Sequence, residues 1–324
     1  MSRSRLLTTG GPNILALLVA CSTITIVVAN SDPVNTGGSP GALNAASYNV
    51  SVTLPPAPAL PEQLEANAEG AEGESKPSES LHLSGHWGLK LNTEMLRRGC
   101  LEFANVESYT ATFTKQERIG GVMSDAQVID LKVRQAPFSV YMKWLTGDSG
   151  RQLIYVDGQN EGNLLVQPGG IRGRLTGVLT LDPEGTLAMA ECRYPVTKAG
   201  LVKLAETIIS HEVADLGCSG GYRCELRDGE EFDGRPCYLF ICEYDQEHNP
   251  EYRKSVMHID KELSLPICVR NYTWGVDIPQ EKLDEETLVE YYAFTDLEVN
   301  QALTDEVFDP TNPEYHLRVK KRRD

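Results

Sequence analysis

The sequence predicts a mainly β (α+β) fold: one antiparallel sheet, strongly curved or closed into a barrel only in part, with helices covering its concave face. Short runs of alternating apolar and polar residues, joined by tight turns, recur through most of residues 109–297. Only two segments show long helical spacing, one before the first strands and one in the middle of the chain. Strands and helices do not alternate along the chain, which argues against a doubly wound α/β fold.

The helices and strands are expected in the following order. A first helix is expected at 92–106, with Asn92 as its N-cap and Leu96, Cys100 and Phe103 on one face. A second helix is expected at about 197–210, capped by Thr197, after a glycine-rich loop that extends to Pro195. About nine or ten strands are expected, at 109–118, 126–134, 138–144, 151–156, 163–166, 222–227, 237–244, 254–259, 265–274 and 288–297.

Residues 1–29 are typical of a secretory signal peptide or an N-terminal membrane anchor. Two arginines precede an apolar run from Ile14 to Ala29, which at 16 residues is shorter than the roughly 20 of a membrane-spanning helix. Three outcomes stay open: lipidation of Cys21 at the bacterial lipobox-like Leu18–Cys21, cleavage after Ala29, and an uncleaved anchor. Each of them places the rest of the chain outside the cytoplasm, in the periplasm or attached to the bacterial envelope membrane.

Residues 30–86 are expected to form a disordered linker, because seven acidic residues, one basic residue and seven of the 18 prolines leave little apolar surface to bury. Residues 87–317 then form one folded domain, followed by a basic tail at 318–324. The whole chain has 30 Lys and Arg against 46 Asp and Glu, a net charge of −16. This acidic balance argues against nucleic acid as a partner, since nucleic-acid binding needs a basic surface.

The residues that carry chemistry in other proteins do not form a complete catalytic or metal-binding pattern here. The eight cysteines lack C-x-x-C spacing, so neither a metal nor a cofactor is expected. Cys224 and Cys237 flank a predicted turn and are a candidate disulfide pair, with buried free thiols as the alternative. Gly217–Gly221 matches the G-x-S-x-G pattern around Ser219. However, a helix precedes it and a strand follows, the reverse of a hydrolase elbow. We therefore expect a protein without enzymatic activity.

Several short runs in the predicted domain carry a resemblance to known families. Arg134–Tyr141, Leu181–Met189, Arg193–Thr197 and Phe308–Pro313 resemble the uncharacterised bacterial family called domain of unknown function 1571. The order of Tyr109–Lys115, Phe138–Trp144 and Leu153–Gly158 is similar to that in the LolA and LolB lipoprotein carriers. The second resemblance implies an unclosed antiparallel barrel with a helical lid, whose cavity takes acyl chains or other apolar groups.

The resemblance also implies candidate site residues. Phe113, Val140, Met142 and Trp144 form an apolar stripe that is expected to line the cavity, with an ordinary sheet-to-helix core as the alternative. Arg134 precedes Phe138 by the spacing of the LolA arginine that helps to hold the lid shut, and an exposed strand-end arginine is the alternative. The partners implied are a lipid or lipid-modified protein and, through the N-terminus, a membrane. A structural or protein-interaction module of the envelope, without a small ligand, is the competing hypothesis.

Overall fold

The computed structural model describes residues 81–317, which form one antiparallel sheet of 13 strands with five α-helices. In chain order the elements are β1 (His82–Ser84), α1 (Gly85–Phe103), β2 (Ser108–Ile119), β3 (Val122–Met123), β4 (Gln127–Arg134), β5 (Ser139–Trp144), β6 (Gln152–Val156), β7 (Leu164–Gln167), α2 (Gly170–Thr176), β8 (Leu179–Leu181), α3 (Thr186–Met189), α4 (Leu201–Leu216), β9 (Tyr222–Phe232), β10 (Arg235–Tyr244), β11 (Lys254–Asp260), β12 (Pro266–Tyr272), α5 (Gln280–Thr287) and β13 (Leu288–Val299). Among these residues, none of the helices combines the length and hydropathy needed to cross a membrane.

The sheet is open and follows the chain in two runs of hairpins. Its strand order is β1-β9-β10-β11-β12-β13-β2-β4-β5-β6-β7-β8, with β3 paired to β2 beside this path. The last strand, β13, pairs with the first long strand, β2, and this pairing joins the two runs into one sheet. β1 and β8 are the two edges, so the sheet does not close. The expected fold class, a mainly β, unclosed antiparallel sheet with covering helices, is confirmed.

The helices α1 and α4 pack together over the half of the sheet formed by β9 to β12. Leu89 and Leu96 of α1 lie in one buried cluster with Phe240 and Met257 of the sheet. The helix comes so close to the turn between β11 and β12 that a Cβ atom on Gly99 would lie 2.2 Å from the carbonyl oxygen of Ser264. Glycine at this position therefore allows α1 to pack closely against the sheet.

The two long helices begin at residues other than those predicted. Asn92, the expected N-cap, lies buried inside α1, where its Nδ2 donates to Glu212 Oε1 of α4 at 2.5 Å. Thr197 belongs to a 3₁₀ turn, and α4 begins after Gly200, with the Leu201 amide donating to the Tyr109 hydroxyl at 2.9 Å. Strand β1 and the first turn of α1 lie before residue 87, where the folded domain was expected to begin.

A C-terminal segment, residues 303–317, covers the sheet face opposite the helices. The Tyr315 ring stacks on Tyr141 of β5 at a centroid distance of 4.3 Å. Gln152 of β6 donates its Nε2 to the Tyr315 carbonyl at 2.9 Å, and Phe308 is buried in the same cluster. The last described residues are therefore part of the folded domain, and the Phe308–Pro313 run lies in this segment.

Candidate ligand-binding site

A cavity of about 180 Å³ lies on the helix-bearing face of the sheet, over the half that α1 does not cover. The sheet supplies its floor through β2, β4, β5, β6, β7 and β13. Residues 181–200, which we call the roof, and the first turns of α4 cover the floor. None of the lining residues comes from α1. Side chains fill the space between α1 and the sheet, so the cavity lies beside this helix and not beneath it.

The apolar floor follows from strand register. Phe294, Phe113, Ile129 and Trp144 are successive cross-strand partners on β13, β2, β4 and β5. Residues directly opposite each other in an antiparallel pair point to the same face, so these side chains form one continuous row. The rings of Phe113 and Phe294 stack at 4.8 Å. The next row, which includes Met142 and Leu153, extends the apolar floor.

The roof is fastened to the sheet by two arginine–carboxylate pairs. Arg151 Nη2 lies 2.7 Å from Glu191 Oε2, at the outer side of the roof. Arg193 Nε lies 2.7 Å from Oε2 of Glu290 on β13. The roof also contributes apolar residues to the cavity lining, among them Leu181, Pro183, Leu187, Ala188 and Val196.

Polar side chains line one part of the otherwise apolar cavity. The Tyr292 hydroxyl donates to Glu117 Oε1 at 2.5 Å, and Lys115 Nζ lies 3.0 Å from Glu117 Oε2. The Tyr194 hydroxyl donates to Glu290 Oε1 at 3.4 Å. Burial raises the pKa of the Glu290 carboxyl above its ordinary value and that of the Tyr194 phenol to about 12. The cavity therefore offers a hydrogen-bonding group of atoms beside its apolar floor.

The four apolar residues expected in the cavity have two different positions. Phe113, Met142 and Trp144 line it, whereas Val140 is fully buried in the adjoining core with Tyr109. Sequence reasoning missed the contribution of the roof, although two of the family-like runs, Leu181–Met189 and Arg193–Thr197, lie there. It also missed the polar residues, because charged groups on a strand are usually assigned to the solvent-facing side.

Arg134 has a different role from the predicted lid contact. Its Nη1 lies 2.6 Å from Asp305 Oδ1, its Nη2 donates to Ser139 Oγ at 3.0 Å, and its guanidinium lies 4.8 Å from the centre of the Phe308 ring. Asp305 and Phe308 belong to the C-terminal segment, on the face away from the helices and the roof. The alternation of side chains along β4 places Arg134 on that face, so it anchors the C-terminal segment.

The predicted pairing of Cys224 with Cys237 does not fit the register of the hairpin. Cys224 lies opposite Cys242, and Cys237 lies opposite Glu230, six residues further along β9. Six residues of a strand span about 20 Å, far beyond the roughly 7 Å that a disulfide allows between Cα atoms. The cysteines of residues 81–317 are all free thiols. Cys21, the candidate lipidation site, lies outside the described residues.

The glycine-rich loop around Ser219 follows helix α4 and precedes strand β9, in the order that the sequence indicated. His248 Nε2 and Asp215 Oδ1 lie 2.8 Å apart beside this loop. Within residues 81–317, however, the Ser219 side chain is exposed and forms no hydrogen bond, so it lacks the activating contact that a nucleophilic serine requires.

Fold and cavity together define a mainly β domain that encloses an apolar space. The chain belongs to the family described as "Protein of unknown function (DUF1571)", which matches residues 106–317 and confirms the expected membership. A search of curated proteins finds no match.

Several solved structures are similar to this chain. Lipoprotein LppX of Mycobacterium tuberculosis is 11% identical over 68% of this chain and 99% of its own, with a TM-score of 0.39. A LolA superfamily protein of Nitrosomonas europaea is 10% identical over 67% of this chain and 97% of its own, with a TM-score of 0.19. A chain of the Pseudomonas aeruginosa MucA/MucB complex is 17% identical over 67% of this chain and 60% of its own, with a TM-score of 0.39.

Proposed function

We propose that the protein is an exported envelope protein that binds an amphiphilic ligand, a lipid or the lipid group of a modified protein, and catalyses no reaction. The apolar part of the ligand lies on the floor formed by Phe113, Met142 and Trp144. Its polar part contacts Lys115 and Tyr194. The cavity carries this proposal, because a space with an apolar floor and a few convergent polar groups is the usual form of a small-molecule site.

The size of the cavity sets what it holds without rearrangement. An engineered apolar cavity of about 150 Å³ takes up benzene. A cavity of about 180 Å³ therefore accommodates an apolar group slightly larger than a benzene ring. Each buried methylene contributes about 0.8 kcal/mol. A complete acyl chain requires more room, so its binding requires the roof to move away from the floor.

Ala188 offers a direct test, since a phenyl ring at this position occupies most of the cavity. We compare the full chain with A188F and with A104F, whose site is exposed at the end of α1. The measurements are mass spectrometry of co-purified lipid and titration with the fluorescent fatty acid cis-parinaric acid. A188F is expected to weaken binding at least about tenfold, or ~1.4 kcal/mol, and A104F to leave it unchanged. Absence of both lipid and probe binding in the wild type contradicts the proposal.

Export is the second part of the proposal and has its own test. It is supported by the arginines and apolar run of residues 1–29. Fractionation of bacterial cells that produce the full chain, followed by mass analysis of its N-terminal peptide, distinguishes the three outcomes. Lipidation predicts an acylated Cys21 that is lost in C21S, signal cleavage predicts a terminus after Ala29, and an anchor predicts an intact terminus in the membrane fraction. A cytoplasmic protein with an intact terminus contradicts export.

An interaction module remains the second candidate because of exposed apolar side chains near the roof. Ile171 and Leu175, both on α2, are 76% and 84% exposed. Neighbouring exposed apolar residues are typical of surfaces that contact a partner. If the wild type binds neither lipid nor probe, and L175E abolishes a specific cross-link to another envelope protein, the module without a small ligand is the better explanation.

A further inference from the structure

Two cysteines face each other within the long hairpin formed by β9 and β10. Cys224 of β9 lies directly opposite Cys242 of β10, in a stretch without bulges from Leu239 to Tyr244. Both thiols are buried, with 3% and 0% of the residue exposed. They lie on the face covered by α1 and α4, in the same cluster as Leu226. The hairpin therefore places two sulfur atoms side by side in a space closed to solvent.

The register also gives the spacing of their backbones. The amide of Asp245 donates to the carbonyl of Gly221 at 2.9 Å, so this opposite pair is hydrogen-bonded. Hydrogen-bonded and non-hydrogen-bonded pairs alternate along an antiparallel ladder, which makes Cys242 and Cys224, three positions further, a non-hydrogen-bonded pair. Such pairs have Cα atoms about 4.5 Å apart, within the range of about 4.4–6.8 Å found in disulfides.

We propose that Cys224 and Cys242 are a disulfide site that is oxidised by a small-molecule or protein disulfide. One cysteine attacks the oxidant disulfide, forms a mixed disulfide and releases one thiol. The second cysteine attacks the mixed disulfide, so that the Cys224–Cys242 bond forms and a second thiol leaves. The two protons and two electrons lost by the cysteines end on the two thiols of the reduced oxidant.

Two other cysteines of the sheet, Cys237 and Cys268, are poorly placed to compete for either partner. Cys237 lies about 20 Å along the hairpin. Cys268 belongs to the cluster on the opposite face of the sheet. The hydrogen-bonding contact with Cys242 and burial raise the pKa of the Cys224 thiol, which slows its attack in the folded protein. Oxidation is therefore fastest while the chain folds, before α1 and α4 cover the hairpin.

The test uses the full chain, refolded either with oxidised glutathione or with dithiothreitol, then alkylated without reduction and digested for mass spectrometry. The wild type and C237S are expected to give a peptide pair linked through Cys224 and Cys242 after oxidation. The linked loop is 17 residues long (225–241), and the expected rise in melting temperature over the reduced protein is about 5 °C or more. C224S and C242S are expected to lack both the link and the rise.

Three results overturn this inference, and all of them are measured on the wild type. The first is full alkylation of both cysteines after oxidation, and the second is linkage of either one to a different cysteine. The third is a linked protein whose melting temperature is the same with and without dithiothreitol. Because the mass measurement is made on the wild type, a variant that fails to fold does not weaken the test.

Discussion

Replacing Glu212 with glutamine is expected to remove a large part of the pH dependence of folding. Glu212 is 3% exposed between α1 and α4, and burial raises the pKa of its carboxyl from 4.5 to about 8. Oxygen Oγ1 of Thr93 lies 2.9 Å from the Leu89 carbonyl and 2.8 Å from Glu212 Oε2. A hydroxyl has one proton to donate, so both contacts are satisfied when a protonated Glu212 donates to Thr93.

The size of the effect follows from the proton that the folded chain holds. Between the pKa values of 4.5 and about 8, the folded state keeps the Glu212 proton and the unfolded state loses it. The free energy of unfolding therefore falls as the pH rises through this window. From pH 5 to pH 8 the loss is about 3.5 kcal/mol, or about 1.4 M in urea midpoint for a slope of about 2.5 kcal/mol/M.

Urea denaturation at pH 5, 7 and 9, followed by circular dichroism, measures this loss in three proteins. E212Q keeps the contacts of residue 212 with Asn92 and Thr93, because the glutamine amide oxygen accepts from Asn92 and the amide nitrogen donates to Thr93. The free energy of unfolding of E212Q is therefore expected to change far less with pH than that of the wild type. E206Q, at an exposed site on the same helix, is expected to follow the wild type. An equal decline in the wild type and E212Q would refute a protonated Glu212 in the folded protein.

Three further substitutions and one control have expected outcomes that the same denaturation assay and an esterase assay measure. Gly200→Ala is expected to lower the free energy of unfolding by about 2–3 kcal/mol, because φ is +95° and the added Cβ would lie 2.4 Å from the Tyr109 hydroxyl. Gly220→Ala, where the added Cβ meets open space, is expected to leave the free energy of unfolding unchanged. Tyr315→Ala is expected to cost about 3 kcal/mol by removing a buried ring that anchors the C-terminal segment. Ser219→Ala is expected to leave stability and any background hydrolysis of p-nitrophenyl esters unchanged.

The strands were predictable from sequence because their signal is local. Alternation along β4, β5 and β11 places apolar side chains on one face within a few residues, and the predicted ranges of these three strands agree with the observed ones to within one residue. The predicted range of β9, 222–227, ends five residues before the observed strand does. Strands of two or three residues, such as β1, β3 and β8, have too few residues for a period to be recognised. They depend on pairing with distant strands, which raises the count from the expected nine or ten to 13.

The predicted start of α1 was wrong because of a long-range contact, and the predicted cysteine pair was wrong because the hairpin turn was placed too broadly. Asn92 has a preference for N-caps, yet it is buried by Glu212, 120 residues away in the chain. The turn of the β9–β10 hairpin was expected across 229–234, whereas the chain turns at Asp233-Gly234, both with positive φ. An Asp-Gly pair is a strong hairpin signal. Pairing the strand residues symmetrically around Asp233-Gly234 would have placed Cys224 within one residue of Cys242, which lies opposite it.

The two halves of the helix-bearing face show why one part of this domain is filled and the other is not. Over β9 to β12, two long helices supply regularly spaced apolar side chains, and close packing leaves little space. Over β2 to β8, the covering roof consists of short helical turns and loops with prolines and small residues, and it leaves a cavity above Phe113 and Trp144. Stability gains nothing from an unfilled space beside well-packed residues, since each cavity costs dispersion energy. An apolar space that stays unfilled beside buried polar groups is therefore what the proposed ligand-binding function predicts.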